Sequence, residues 1–294
     1  MALWHDKRGT LSPLRAAALL ALLTPGIALV YYSIIGDWGP RPVNEAIHFI
    51  GQWTVRILLA TFLVSPLRRL ARWPRLIDVR RMMGVTAFCY IALHLMLFIV
   101  DQKFDLATVA SEIVLRYYLT IGFTAWLGLA ALAATSNDYM VRKMGGERWR
   151  KLHQLIYPIA ALACIHYFMQ AKLEVFQPTV VAGIFGWAML YRIAHWTTSR
   201  EFRNLNGELP LWFLAALSVF SAALTFIFEA LGFWLFRDVP PLMVLEVDFT
   251  FIAGIRPGWY VLMAGAALTL IAAVRNRPVQ RRIQLASSAG RTPS

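Results

Sequence analysis

Eight apolar stretches of about 18–25 residues recur along this chain, at 14–32, 49–66, 82–100, 117–134, 152–170, 179–196, 211–235 and 257–274. Each is long enough to cross a hydrocarbon core roughly 30 Å thick. Backbone polar groups in lipid must find partners within their own segment, and short alternating strands of the barrel kind are absent, so the stretches predict helices. The expected class is an all-α integral membrane protein with eight spans. At 59% hydrophobic and 15% charged residues, the composition lies well outside that of a soluble domain.

The net charge of +13 at pH 7 does not point to nucleic acid, because the basic residues sit in short clusters between apolar blocks. Those clusters set an orientation instead. Twenty-one of the 29 Lys and Arg residues fall at 1–15, 67–82, 136–151, 197–208 and 275–294, against six in the intervening loops. The positive-inside rule then places both termini in the cytoplasm. The first stretch follows Lys7, Arg8 and Arg15 as a signal peptide would, but no small-residue cleavage site follows it, so it is expected to remain as the first helix. The tail after Arg275 is basic, then rich in Ser and Gly, and is expected to be disordered. Cys89 and Cys164 both lie in apolar runs and read as small buried hydrophobes.

Ionisable residues inside a span are costly and therefore mark function. His94 lies 12 residues beyond the inner start of the third span, roughly 18 Å deep, and His166 lies 14 beyond that of the fifth, roughly 21 Å deep. Two histidines from different helices at one depth can clamp a haem iron from both faces, with the ring filling the bundle interior. His153, at the inner boundary of the fifth span, is roughly 220° out of phase with His166 on an ideal helix, and Pro158 between them can bend it. Arg56 is a span-embedded cation for which a haem propionate is one candidate anion, and a carbonyl or water cavity another. His48, at the outer face, could touch a propionate or mark a wet interface. Arg192 and Glu229 lie near span ends and can snorkel.

The runs RRMMGVTAFCYIALHLMLF (Arg80–Phe98) and WRKLHQLIYPIAALACIHYFM (Trp149–Met169), with AIHFIGQW near residue 50, resemble the ferric-reductase-like transmembrane domain. Within that superfamily they look like the haem-bearing membrane subunits of periplasmic methionine sulfoxide reductase systems. The resemblance covers about residues 40–196. It implies a six-helix haem-binding bundle, made of the first helix at 1–40 and the ferric-reductase-like core at 41–196; beyond it this chain continues through a two-helix extension at 197–274 and the tail at 275–294. It also implies b-type haem held by His94, His153 and His166, with His94 and His166 on the outer ring. Electrons would pass outward from a cytosolic flavin reductase or a quinol pool to a periplasmic molybdopterin subunit that repairs oxidised proteins. FMN is associated with the family.

Oxidases of the superfamily carry a second histidine on the third span, but the position thirteen before His94 is Arg81, so an inner ring at His153 lacks an obvious partner. His195 is one candidate for that place. Two other functions remain open: a stand-alone ferric or quinone reductase, and a transporter with an intramembrane polar path. The absence of flavin and nicotinamide domains favours an electron-transfer subunit over the first. The lack of an internal repeat disfavours the second. The basic loop 67–82 is a candidate docking face for a soluble donor, although positive-inside topology alone accounts for it.

Overall fold

The computed structural model describes residue 4 and residues 9–171, 174–199, 202–203, 207–252 and 254–289. Lys7, Arg8, Lys172 and Arg200, which entered the charge asymmetry, and residues 290–294 of the expected tail lie outside the described residues. The regular structure comprises α1 (Pro13–Ile35), α2 (Pro42–Leu70), α3 (Ile77–Asp101), α4 (Leu106–Leu115), α5 (Tyr117–Ala134), α6 (Asp138–Met144), α7 (Gly146–His153), α8 (Ile156–Ala171), α9 (Phe176–Thr197), α10 (Leu211–Arg237), α11 (Pro241–Thr250) and α12 (Pro257–Ala289).

Among the described residues seven segments are long and apolar enough to cross a membrane: Pro13–Ile35, Pro42–Leu70, Pro74–Asp101, Tyr117–Ala134, Gly146–Ala171, Leu211–Leu235 and Pro257–Arg275. The protein is therefore a multi-pass, all-helical membrane protein. The expected crossing at 179–196 is helical and lies within α9, but it is not among those seven. Tyr191, Arg192 and His195 crowd polar groups into its last turns and lower its apolarity.

The chain divides into two compact units, the first made of residues 1–61 and 75–181, the second of 62–74 and 182–294. In the first unit, Leu22, Ile50, Ile57, Ala87 and Tyr90 form a buried cluster drawn from α1, α2 and α3. Its polar centre is the Tyr90 hydroxyl, which accepts from Gly26 N–H at 2.9 Å and donates to the Leu22 carbonyl at 2.7 Å. Those two groups would otherwise bond each other as the i→i−4 step of α1, so the hydroxyl is inserted into the helix ladder beside Pro25. Elsewhere in the unit α5 lies close against α8, where a Cβ built on Gly128 would come within 2.6 Å of Ile159.

The fifth apolar stretch is broken. α7 ends at His153 and α8 begins at Ile156, because Pro158 has no N–H to donate to the Gln154 carbonyl. The break removes the basis of the ideal-helix phase between His153 and His166.

In the second unit, Leu70, Trp187, Ala188, Tyr191, Leu209, Leu214, Leu217 and Ala272 form the core. Small residues let its helices meet backbone to backbone, as lipid-embedded helices require. A Cβ on Gly265 would lie 2.4 Å from Ser218 Oγ, one on Gly183 2.4 Å from Val261, and one on Gly258 2.5 Å from the Phe226 ring. Ser218 Oγ donates to the Leu214 carbonyl at 2.8 Å and accepts the Trp187 indole N–H at 3.1 Å, so this buried polar pair is satisfied.

Candidate functional site

Two of the six histidines converge. His94 from α3 and His166 from α8 face each other with ring centroids 6.4 Å apart and planes at 89°. One local device holds each of them. His94 Nδ1 lies 2.9 Å from the Ile47 carbonyl, and His166 Nδ1 lies 2.8 Å from the Tyr118 carbonyl. Four residues after each carbonyl comes a glycine, Gly51 on α2 and Gly122 on α5, and the imidazole lies directly against it. A Cβ built on Gly51 would come within 3.0 Å of His94, and one on Gly122 within 2.7 Å of His166. The missing side chain opens a shallow notch through which the ring reaches backbone one helical turn earlier.

A carbonyl oxygen only accepts, so both rings carry their proton on Nδ1. Each Nε2 is then left with a lone pair, which is the tautomer a metal ligand needs. With ring centroids 6.4 Å apart, His94 and His166 are the two residues that would hold a metal between them.

Around the pair is a cavity of about 900 Å³ lined by residues of α2, α3, α4, α5, α8 and the start of α9. Its lining is graded. Arg41, Arg116 and Glu174 lie in the connections between helices and Glu45 and His48 in the first turns of α2, while Leu58, Ile91, Ala125, Leu129 and Ala163 line it from within α2, α3, α5 and α8. Trp126 also lines it, and its buried indole N–H has no hydrogen-bond partner. Such a cavity suits a large flat amphiphile with an apolar body and a charged edge. The residues present therefore fit a haem.

The remaining sequence candidates are placed differently. His48 lines the cavity. Arg56 does not; its guanidinium sits 5.1 Å over the Trp53 ring and donates to the side-chain oxygens of Gln52 and Gln177 at 3.4 Å each, both of which line the cavity. His153, which the resemblance put among the haem ligands, is not part of the lining. Its ring stacks on Trp149 at 3.9 Å between centroids, and its Nε2 lies 3.1 Å from Thr135 Oγ1. The same Thr135 hydroxyl lies 2.8 Å from the Ala131 carbonyl and 3.1 Å from that of Leu132, so Thr135 ties the His153 ring to the end of α5. In the second unit, His195 Nε2 lies 2.6 Å from an Arg69 guanidinium nitrogen, and 3.7 Å from Glu208. Arginine only donates, so that lone pair is taken and is not free for a metal.

Sequence reading missed Gly51 and Gly122. Their only trace is that each is a glycine within an apolar run, which Gly122 shares with Gly128, and that carries no specific signal.

A profile of the ferric reductase like transmembrane component family matches residues 50–164, a stretch that includes His94 and ends two residues before His166. The chain is 39% identical over 183 residues to the protein-methionine-sulfoxide reductase heme-binding subunit MsrQ of Rhodospirillum rubrum, covering 61% of this chain and 86% of that protein. It is 34% identical over 206 residues to the subunit of the same name from Herminiimonas arsenicoxydans, covering 69% of this chain and 94% of the relative. With that of Ralstonia nicotianae it shares 33% identity over 206 residues, covering 69% and 95%. No solved structure matches the chain.

Proposed function

The chain belongs to the MsrQ family of heme-binding subunits, and from that premise we propose that it is the membrane electron-transfer subunit of a methionine sulfoxide reductase system, built around one haem b between His94 and His166. The observation that carries the reading is the juxtaposition of these two imidazoles, with both Nδ1 atoms committed to backbone carbonyls. When bound, the haem supplies one-electron redox chemistry at the iron.

This chain's own residues do the rest. His94 and His166 ligate through Nε2. Ile47 and Tyr118 fix the tautomer and the ring directions, and Gly51 and Gly122 give the rings room. Leu58, Ala125 and Leu129 keep water from the ring's apolar edge, which raises the strength of every polar contact nearby. His48 and Arg56 are the proposed partners of the ring's carboxylates, Arg56 because a guanidinium in a span with only neutral amide partners favours an anion. Neither His153 nor His195 is assigned a ligand role, and no residues are assigned to FMN.

In this reading the protein lies in the bacterial inner membrane with both termini cytoplasmic. Electrons enter from a cytosolic flavin reductase or a quinol and leave to a periplasmic molybdopterin-containing MsrP-like subunit, which carries the substrate site. Support comes from the charge asymmetry of the loops and from the names of the relatives. The test is the haem-to-protein ratio with reduced-minus-oxidised spectra of wild type, His94→Ala and His166→Ala. Both variants should lose most of the haem. A wild-type Soret band in either one sinks the proposal.

A further inference from the structure

In the second unit, α10, α11 and the turn before α12 bring together Glu229, Asp248 and Arg256. The Arg256 guanidinium bridges the two acids, through Nε to Asp248 Oδ1 at 3.1 Å and through a terminal nitrogen to Glu229 Oε1. Both carboxylates are buried, with side-chain exposures of 0% for Asp248 and 1% for Glu229. Each has a second oxygen, Asp248 Oδ2 and Glu229 Oε2, that is buried and has no hydrogen-bond partner. On the same elements the rings of Phe226, Phe249, Phe251 and Trp259 pack on one another, edge to face or tilted, at 5.1–5.6 Å between centroids. The Trp259 indole N–H is already spent on the Asp248 backbone carbonyl at 2.9 Å.

With both acids ionised this buried site would carry one uncompensated negative charge, which is costly. Among the described residues of these elements no other buried charge offsets it. The remaining titratable groups described on these elements, Arg237, Asp238, Glu246 and Tyr260, are exposed. Among the described residues no third acid, cysteine or histidine joins the pair to complete a metal shell. A proton is the cation that needs the fewest ligands, and it turns one acceptor oxygen into a donor. Burial pushes the Asp248 carboxyl above the usual carboxylate range, in the same direction.

We propose that Glu229 and Asp248 together hold one exchangeable proton beside Arg256, making the C-terminal unit a proton-binding unit. Uptake joins one proton from the aqueous phase to one carboxylate to give one carboxylic acid; no electron moves and nothing leaves. The proton belongs to the pair rather than to either residue. Its route to water is the Arg256 side chain, which is 19% exposed and is the outermost member of the three. Because the folded state binds this proton above the pH at which an unfolded chain releases it, the unit is most stable at low pH. It loses stability as pH rises through the titration of the pair.

Infrared spectroscopy of the full-length protein in lipid tests this directly. Wild type at neutral pH should show a protonated-carboxyl carbonyl band that shifts in heavy water and disappears as pH is raised. Glu229→Gln and Asp248→Asn should each abolish it, since removing either acid leaves one carboxylate balanced by Arg256. Exchanging choline for sodium or potassium should change nothing. A wild-type protein without the band at neutral pH overturns the proposal, as does a band that survives in both variants. A band that appears only when alkali cations are removed also overturns it, because the site would then hold a metal ion. If the variants fail to fold, the wild-type pH and cation series alone decides.

Discussion

Gly122 on α5 and His166 on α8 are packed so closely that a methyl group on the glycine would come within 2.7 Å of the imidazole. Gly51 and His94 repeat the relationship at 3.0 Å. Real Cβ contacts are essentially never as short as 2.7 Å, so a methyl on Gly122 must push the ring away from its carbonyl, while one on Gly51 asks only for a shift of a few tenths of an ångström. Gly122→Ala should cost about 1–3 kcal/mol of haem binding by overpacking, or about 5- to 150-fold in affinity. Gly51→Ala should cost less, because its contact is less severe. Haem retention during gel filtration, read as the ratio of Soret to protein absorbance, checks both. Full retention in Gly122→Ala would mean that His166 does not depend on the notch.

His153 separates the geometry from the family resemblance. Its Nε2 is engaged by the Thr135 hydroxyl and its ring is stacked on Trp149. His153→Ala should keep the wild-type haem-to-protein ratio and the same reduced-minus-oxidised spectrum. A fall to half the haem would show that this histidine binds a ring of its own. His195→Ala should likewise leave the ratio unchanged, since Arg69 occupies its Nε2.

The Tyr90 hydroxyl sits in the hydrogen-bond ladder of α1, between Gly26 N–H and the Leu22 carbonyl. Tyr90→Phe takes away the group that satisfies both. Hydrogen bonds between helices in lipid are worth about 1 kcal/mol on average or somewhat less. A destabilisation of about 1 kcal/mol is expected, with hydrogen exchange accelerated at Gly26 rather than throughout α1. An unchanged exchange rate at Gly26 would mean that α1 closes its own ladder when the hydroxyl is absent.

Gly265 carries the packing of the second unit, where a Cβ would meet Ser218 Oγ at 2.4 Å and Trp187 Nε1 at 3.0 Å. Gly265→Ala should lower the thermal midpoint through about 1–3 kcal/mol of overpacking, while the Soret band stays at its wild-type position. Loss of haem in this variant would contradict the assignment of the site to residues of the first unit.

Much of the architecture could be read directly. Seven apolar segments, their helical state and the break at Pro158 follow from hydropathy and from proline chemistry, both local properties. His94 and His166 were found together because helical rise converts sequence distance into depth, and depth is shared by every span. The sixth stretch, at 179–196, is less secure. Its length was right, but Arg192 and His195 sit in its last turns, and a length criterion does not weigh them. His153 and His195 were drawn in by family resemblance, and what their ring nitrogens bond to is invisible in a linear pattern.

The amino-acid order by itself determined that this chain lives in lipid, roughly where its long apolar helices lie, and which two imidazoles share a level. These follow from solvent transfer and backbone sterics, which act on neighbours along the chain. Only the tertiary structure decided which glycines the imidazoles rest on, which carbonyls take their protons, and that Glu229, Asp248 and Arg256 meet. Each of these joins residues tens of positions apart or on different helices, and depends on how the helices are rotated about their own axes. That rotation is set by the packing of whole surfaces, and no single stretch of sequence encodes it.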